Sequence, residues 1–172
     1  MITFSPEKAV QAAAELLRTE PTRQMSYLRL LKLLYLAERR CLKESGAPIL
    51  GGKFVAMKNG PLHSEVYDLI KGEHPDQQIW DGHIHKRGYQ LRLERDPGVL
   101  ALSRLERQLL CEVAELWKEL DDWELAESTH SFPEWRKNYV EGSSRTIPLE
   151  DAFAAVGFSP ADVQTAIADL TA

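Results

Sequence analysis

The sequence predicts a mainly α, α+β fold: a compact helical bundle with a small antiparallel β-sheet inserted near its middle. Three observations predict it. YLRLLKLLYLAERR is apolar on most sides and leaves a narrow stripe through Arg29, Lys32 and Arg40, the pattern of a helix in the middle of a bundle. Ser103-Arg104-Leu105-Glu106 is a capping box, which opens another long helix. HIHKRGYQLRLE alternates Tyr89, Leu91 and Leu93 with Gln90, Arg92 and Glu94, the period of a half-buried strand.

The elements follow in order. Ser5 caps a first helix with Pro6 at its first position, and this helix runs to Arg18, before Pro21. The next spans Gln24 to about Ser45, with Gly46 as its left-handed stop and Pro48 beyond. Gly51 to Met57 is a short strand. After Lys58-Asn59-Gly60, Pro61 is expected to be the first residue of a helix that places Val66, Tyr67, Leu69 and Ile70 near one side and ends at Gly72. A polar loop from His74 to Asp81 carries Trp80, and the hairpin after it turns near Arg87-Gly88. The helix opened by Ser103 repeats Leu105, Leu109, Val113, Leu116 and Leu120 at steps of three and four, with Trp117 and, farther on, Trp123 assigned to the core. Asp121 or Asp122 caps WELAESTH, Pro133 opens PEWRKNYV, and a Gly-Ser-Ser loop leads to Pro148–Val156. Ser159-Pro160 then opens the closing helix.

A length of 172 residues suits one domain over 1–172, able to remove roughly 70% of its unfolded surface from water. Apolar residues at 44% and charged ones at 27% are ordinary for a soluble protein, and no apolar run reaches the roughly 20 residues of a membrane span. The N-terminus shows no basic start leading into an apolar stretch, so no signal peptide is expected. Cys41 and Cys111 fall in helical segments and read as small buried hydrophobes in a reducing cytoplasm. The net charge of −5 argues against non-specific nucleic-acid binding, but charge is uneven. Arg23, Arg29, Lys32, Arg39, Arg40 and Lys43 stand against Glu38 alone, whereas residues 103–127 are strongly acidic. Either a basic and an acidic helix face each other, or one of them is a charged docking surface.

Signatures of enzymes are scarce. GAPILGGKF lacks the Lys and Ser/Thr placement of a phosphate-binding loop, so its glycines read as freeing a helix-to-strand turn. His83 and His85 share a strand face but lack a third ligand, so no metal site is assigned and no cofactor is expected. His63, two residues before Glu65, sits in the first turn of its helix and is read as bonding nearby backbone. A DNA-reading helix over 29–43 would need an exposed face, which its apolar surround denies.

The stretches YLRLLKLLYLAERRCLKESGAPI, FVAMKNGPLHSEVYDLIKG and WELAESTHSFPEWRKNYVEGSSRTIPLEDAF together resemble the SocA-like antitoxin family, the Panacea domain. The features that carry the resemblance are Lys32 to Ala37, the Lys58-Asn59-Gly60-Pro61 elbow with Glu65-Val66-Tyr67, Leu125-Thr129-His130 with Trp135, and Ile147-Pro148 with Glu150-Asp151. The likeness covers about residues 6–157. Asn59 stands where the family often has an aromatic residue, and Glu38 where Asp is frequent. The resemblance implies a cytoplasmic binding protein without chemistry of its own. It would neutralise a cognate protein toxin encoded beside it, by direct contact or as an adaptor to a cytoplasmic protease. The alternative is a DNA-binding regulator or a phage or mobile-element accessory protein of the same fold.

On this reading the partner surface is expected at the Arg29, Lys32, Arg39 and Arg40 stripe, at Lys58, Asn59 and His63 on the elbow, and at Trp80 and Trp135, because aromatic and Arg anchors concentrate interface energy. Gly60 and Pro61 are the structural elbow.

Overall fold

The computed structural model describes residues 2–172. Helix α1 (Pro6–Arg18) starts where the sequence puts it, with the Ser5 hydroxyl accepting from the Lys8 N–H. The second segment is not helical throughout. Arg23 takes a left-handed φ of 54°, Gln24–Ser26 form strand β1, and α2 (Tyr27–Ser45) begins only where Ser26 caps it by accepting from the Arg29 N–H. Gly46 ends α2 in the left-handed conformation.

Strand β2 (Phe54–Met57) is followed not by a helix but by a second strand, β3 (Gly60–His63), with Lys58-Asn59 as the tight turn between them. Pro61 lies opposite Ala56 in this hairpin. The position tolerates proline because β3 is an edge strand, so the missing N–H leaves no ladder bond unmade. Helix α3 (Ser64–Lys71) begins three residues later than expected, and its cap is His63. The expected polar loop contains a short helix, α4 (Gln77–Asp81).

Strands β4 (Ile84–Arg87) and β5 (Gln90–Leu93) form the expected hairpin, and β1 joins them in a sheet of order β1-β5-β4. Helix α5 (Arg104–Leu116) carries the Ser103/Glu106 capping box, and α6 (Asp122–Ser128) carries a second one at Asp121/Glu124. A 3-10 turn at Thr129–Ser131 and α7 (Pro133–Asn138) follow. Strand β6 (Arg145–Ile147) pairs with β2 to complete a second sheet, β3-β2-β6. Helices α8 (Leu149–Ala155) and α9 (Pro160–Thr171) close the chain. The fold is thus mainly helical, with two small antiparallel sheets where the sequence suggested one.

Helix α2 is the axis. From Leu30 to Glu38 every side chain is buried, including the polar Lys32 and Glu38. One cluster packs α1, α2 and α5 with the β1-β5-β4 sheet. A smaller one gathers Tyr35, Phe54, Ile147, Phe153 and Val163 under α8 and α9. Glu38 holds the loop after α2 by accepting from the N–H groups of Ile49 and Leu50 at 2.6 and 3.1 Å. Its burial pushes the carboxyl pKa up to about 7. Among the described residues no helix is long and apolar enough to cross a membrane.

Candidate functional site

The arginines of the α2 stripe are engaged within the fold. Arg29 donates to the carbonyls of Trp117 and Leu120 at 2.9 Å each, closing the end of α5, and pairs with Asp122 at 3.1 Å. Arg39 grips the buried Glu134 carboxylate and lies over the Phe132 ring, 3.7 Å from its centroid. Arg40 pairs with Glu112 of α5 at 2.7 Å and with Glu44 at 3.1 Å. Of the two sequence readings, the facing of a basic and an acidic helix is the one observed.

Two of the other expected contact residues are also interior, and a third is half-buried. His63 has no exposed surface: its Nε2–H donates to the Gly51 carbonyl at 2.6 Å, which leaves Nδ1 to accept from the Val66 N–H at 3.5 Å. Burial lowers its pKa, against the pull of the Gly51 carbonyl and Glu65, and so favours the neutral ring that this pair of bonds needs. Trp80 is 2% exposed because α4 turns its ring into the main core. Trp135 is half-buried. Its Nε1–H donates to the Met57 carbonyl at 2.8 Å and its ring is stacked between His130 and Tyr139 at 4.3 and 4.7 Å. These rings fasten α7 to the end of β2. Cys111, expected to be buried, is exposed, while Cys41 is buried as expected; both are free. His83 precedes β4 and His85 lies in it, each ring bonded to a backbone carbonyl, of Arg95 and Asp81 respectively.

What remains at the surface surrounds a cleft of about 550 Å³ between the start of α2, the β2–β3 turn, α3, the β4–β5 turn and α6. Lys58 and Asn59 stand exposed on one lip. Tyr27, Tyr67 and Tyr89 line another side, the Tyr27 ring lying 6.5 and 6.0 Å from the other two. Trp123 completes the rim. It is 67% exposed and Tyr89 is 76% exposed, so two of the largest aromatic side chains of the chain lie in water. The assignment of Trp123 to the core is therefore corrected. It follows Asp122, the first residue of α6, and only the next turn of that helix, at Leu125 and Ala126, faces inward. The floor is Leu31, Leu62 and the fully buried Lys32.

Lys32 and Gly60 fix the depth of the cleft. The Lys32 ammonium donates to the Pro61 carbonyl at 2.7 Å, and burial alone lowers its pKa to about 7. Gly60 sits at φ 101°, and a Cβ there would overlap the Thr129 hydroxyl and come within 3.1 Å of the Lys32 Nζ. Thr129 in turn donates to the Ala126 carbonyl at 2.6 Å. The elbow is therefore structural, as expected, but as a hairpin whose glycine admits a hydroxyl and an ammonium beside the backbone. His130 lies against the same group. Its pKa is lowered by burial and then by Lys32, and its Nε2 is buried with no hydrogen-bond partner. The sequence brought Lys32, Lys58 and Asn59 to attention. It gave no sign that Tyr27, Tyr67, Tyr89 and Trp123, from four separate elements, would join them.

No curated protein and no solved structure matches the chain. The family model described as antitoxin SocA-like, Panacea domain, matches residues 30–136, a narrower span than the 6–157 of the sequence resemblance, running from α2 to α7 and taking in most of the cleft. With well over half of its length in that match, the chain belongs to the SocA-like antitoxin family, the Panacea domain.

Proposed function

We propose that this protein is the antitoxin of a toxin–antitoxin pair, that it neutralises a cognate protein toxin by direct binding in the cytoplasm, and that it transforms no substrate. The observation that carries the reading is the aromatic cleft in a chain of an antitoxin family. Exposed tryptophan and tyrosine around an apolar floor are the residues that dominate protein interfaces, because they bury a large area at small cost in side-chain entropy. The rigid hairpin and α2 beneath them hold the site ready, which lowers the cost of binding. Delivery of the bound toxin to a protease is compatible with the same capture and is distinguished by whether the toxin is lost from cells or only silenced.

The DNA-binding alternative has less to stand on. The basic helix α2 is buried along most of its length, and Arg29, Arg39 and Arg40 are held in ion pairs. The reading is tested by expressing the protein with the product of the adjacent gene. Rescue of growth and recovery of the two as one complex are expected; absence of both overturns it.

A further inference from the structure

Lys32 is an ammonium with too few partners. It has three N–H donors, and the Pro61 carbonyl is the one acceptor it meets in the structure. No carboxylate among the described residues is placed to pair with it, and burial is the sole influence on its titration. The neighbouring hydroxyl of Thr129 donates elsewhere, and the neighbouring His130 leaves its own Nε2 unpaired. A buried charge without a counter-charge is expensive, so Lys32 unaided gives up its proton near pH 7, and a carboxylate brought to Nζ would restore the charge. What lies above Lys32 is the cleft, whose walls at Leu31, Leu62 and Met57 are apolar. Lys58 stands on the lip, Lys86 lies nearby with its Nζ 5.7 Å from the Tyr27 ring centroid, and Glu127 acts on His130 from outside the lining. The one acid of the lining, Asp122, is already held by Arg29.

We propose that Lys32 receives a glutamate side chain of the partner polypeptide, which enters past Tyr27, Tyr67 and Trp123 and places its carboxylate on Nζ. The apolar walls select the form in which the acid arrives. Lys32 has no exposed surface in the unbound protein, so the floor of the cleft must part before a carboxylate can touch Nζ, and a slender stem requires the least parting. The methylenes of a glutamate suit walls of leucine and methionine. A chain terminus would instead bring its own peptide N–H and C=O groups into a wall that offers them no partners. The surrounding lysines favour the approach of an acidic segment, and the pair formed at the floor, shielded from water, is a charge-assisted bond. This inference rests on the cleft being the surface that docks the toxin.

Three peptides test it: Ac-Phe-Glu-Leu-NH2, its Gln counterpart Ac-Phe-Gln-Leu-NH2, and Ac-Phe-Gln-Leu with a free terminal carboxylate, each titrated into the full chain and followed by NMR. The Glu peptide is expected to bind roughly tenfold or more tightly than the Gln amide, the worth of one charge-assisted hydrogen bond. It should shift the signals of Gly60, Trp123 and the Lys32 side chain. The preference should vanish in Lys32→Met. The Lys32 side-chain signal of the unaltered protein gives the same answer should that variant not fold, since it should move with the Glu peptide and not with the Gln amide. Equal binding of the Glu and Gln amides, no binding at all, or tighter binding of the free-terminus peptide would each overturn the assignment. Rescue from the toxin is scored separately on the unaltered protein. Rescue without a preference for the Glu peptide defeats this inference alone, and a preference without rescue defeats the antitoxin reading instead.

Discussion

Arg39 and Glu134, 95 residues apart in the chain, meet in a two-pronged ion pair, with Nε to Oε1 at 2.5 Å and a second guanidinium nitrogen to Oε2 at 3.3 Å. Tyr35 adds its hydroxyl to the same carboxylate at 2.9 Å. Glu134 is 1% exposed, so this carboxylate is tolerated inside only because three donors converge on it. The pair fastens α7 to α2.

Removing one side of that pair should be severe. Glu134→Ala leaves Arg39 and Tyr35 without their acceptor and should destabilise the protein by about 3–5 kcal/mol in urea unfolding. Arg40→Glu, at a side chain 36% exposed whose partners are also open to water, should change stability by about 1 kcal/mol or less. Similar losses in the two variants would show that the Arg39–Glu134 pair has no special role.

Gly60→Ala combines an unfavourable φ with overlap on the Thr129 hydroxyl and should cost about 2–4 kcal/mol in thermal unfolding. Gly72→Ala, also at positive φ but with open space around it, should cost about 1 kcal/mol. The difference between them measures the crowding at the cleft floor, and equal costs would remove that claim.

Stability should depend on pH through Lys32. Its folded pKa is about 7 against an ordinary 10.5, so between those values the unfolded chain holds a proton that the native protein has released. Stability therefore rises with pH across that window through this group, by up to about 1.4 kcal/mol per pH unit. Lys32→Met should lack this component, so its stability advantage over the unaltered protein, measured by urea unfolding at pH 7, 8 and 9, should shrink as pH rises. Parallel profiles would mean that Lys32 is not titrating as its burial requires.

Trp123→Ala and Tyr89→Ala remove the most exposed aromatic rings of the rim. Each should alter stability by no more than about 0.5 kcal/mol. Each should also weaken the complex with the toxin by about 2 kcal/mol, roughly thirtyfold in affinity by calorimetry. Full affinity in both variants would move the interface away from the cleft.

The helices were legible because their signals are local. Ser5, Ser103, Asp121 and Ser159 each cap the helix that follows by accepting from an N–H three residues on, and Gly46 and Gly72 each close a helix at positive φ. The reading failed where pairing decided the outcome. Met25 belongs to β1 because Leu91 lies opposite it, and Pro61 belongs to β3 because Ala56 does. A proline after Gly60 carries the same local signal for a helix start as for an edge strand. Trp80 and Trp123 exchanged their expected places for a related reason: the inward face of a helix of five or seven residues is set by what it packs on, not by its own periodicity.

The sequence by itself determined the helical frame, the hairpin at Arg87-Gly88, the central place of α2 and the family resemblance, since composition, periodicity and caps act within a few residues of chain. Only the tertiary structure decided which charges are free. Arg29, Arg39 and Arg40 found acids and carbonyls brought from residues 112–134, Lys32 found a single carbonyl, and four aromatic residues from separate elements met around it. The energy of a charge or a ring depends on its neighbours and its access to water, and those are fixed by how distant segments pack.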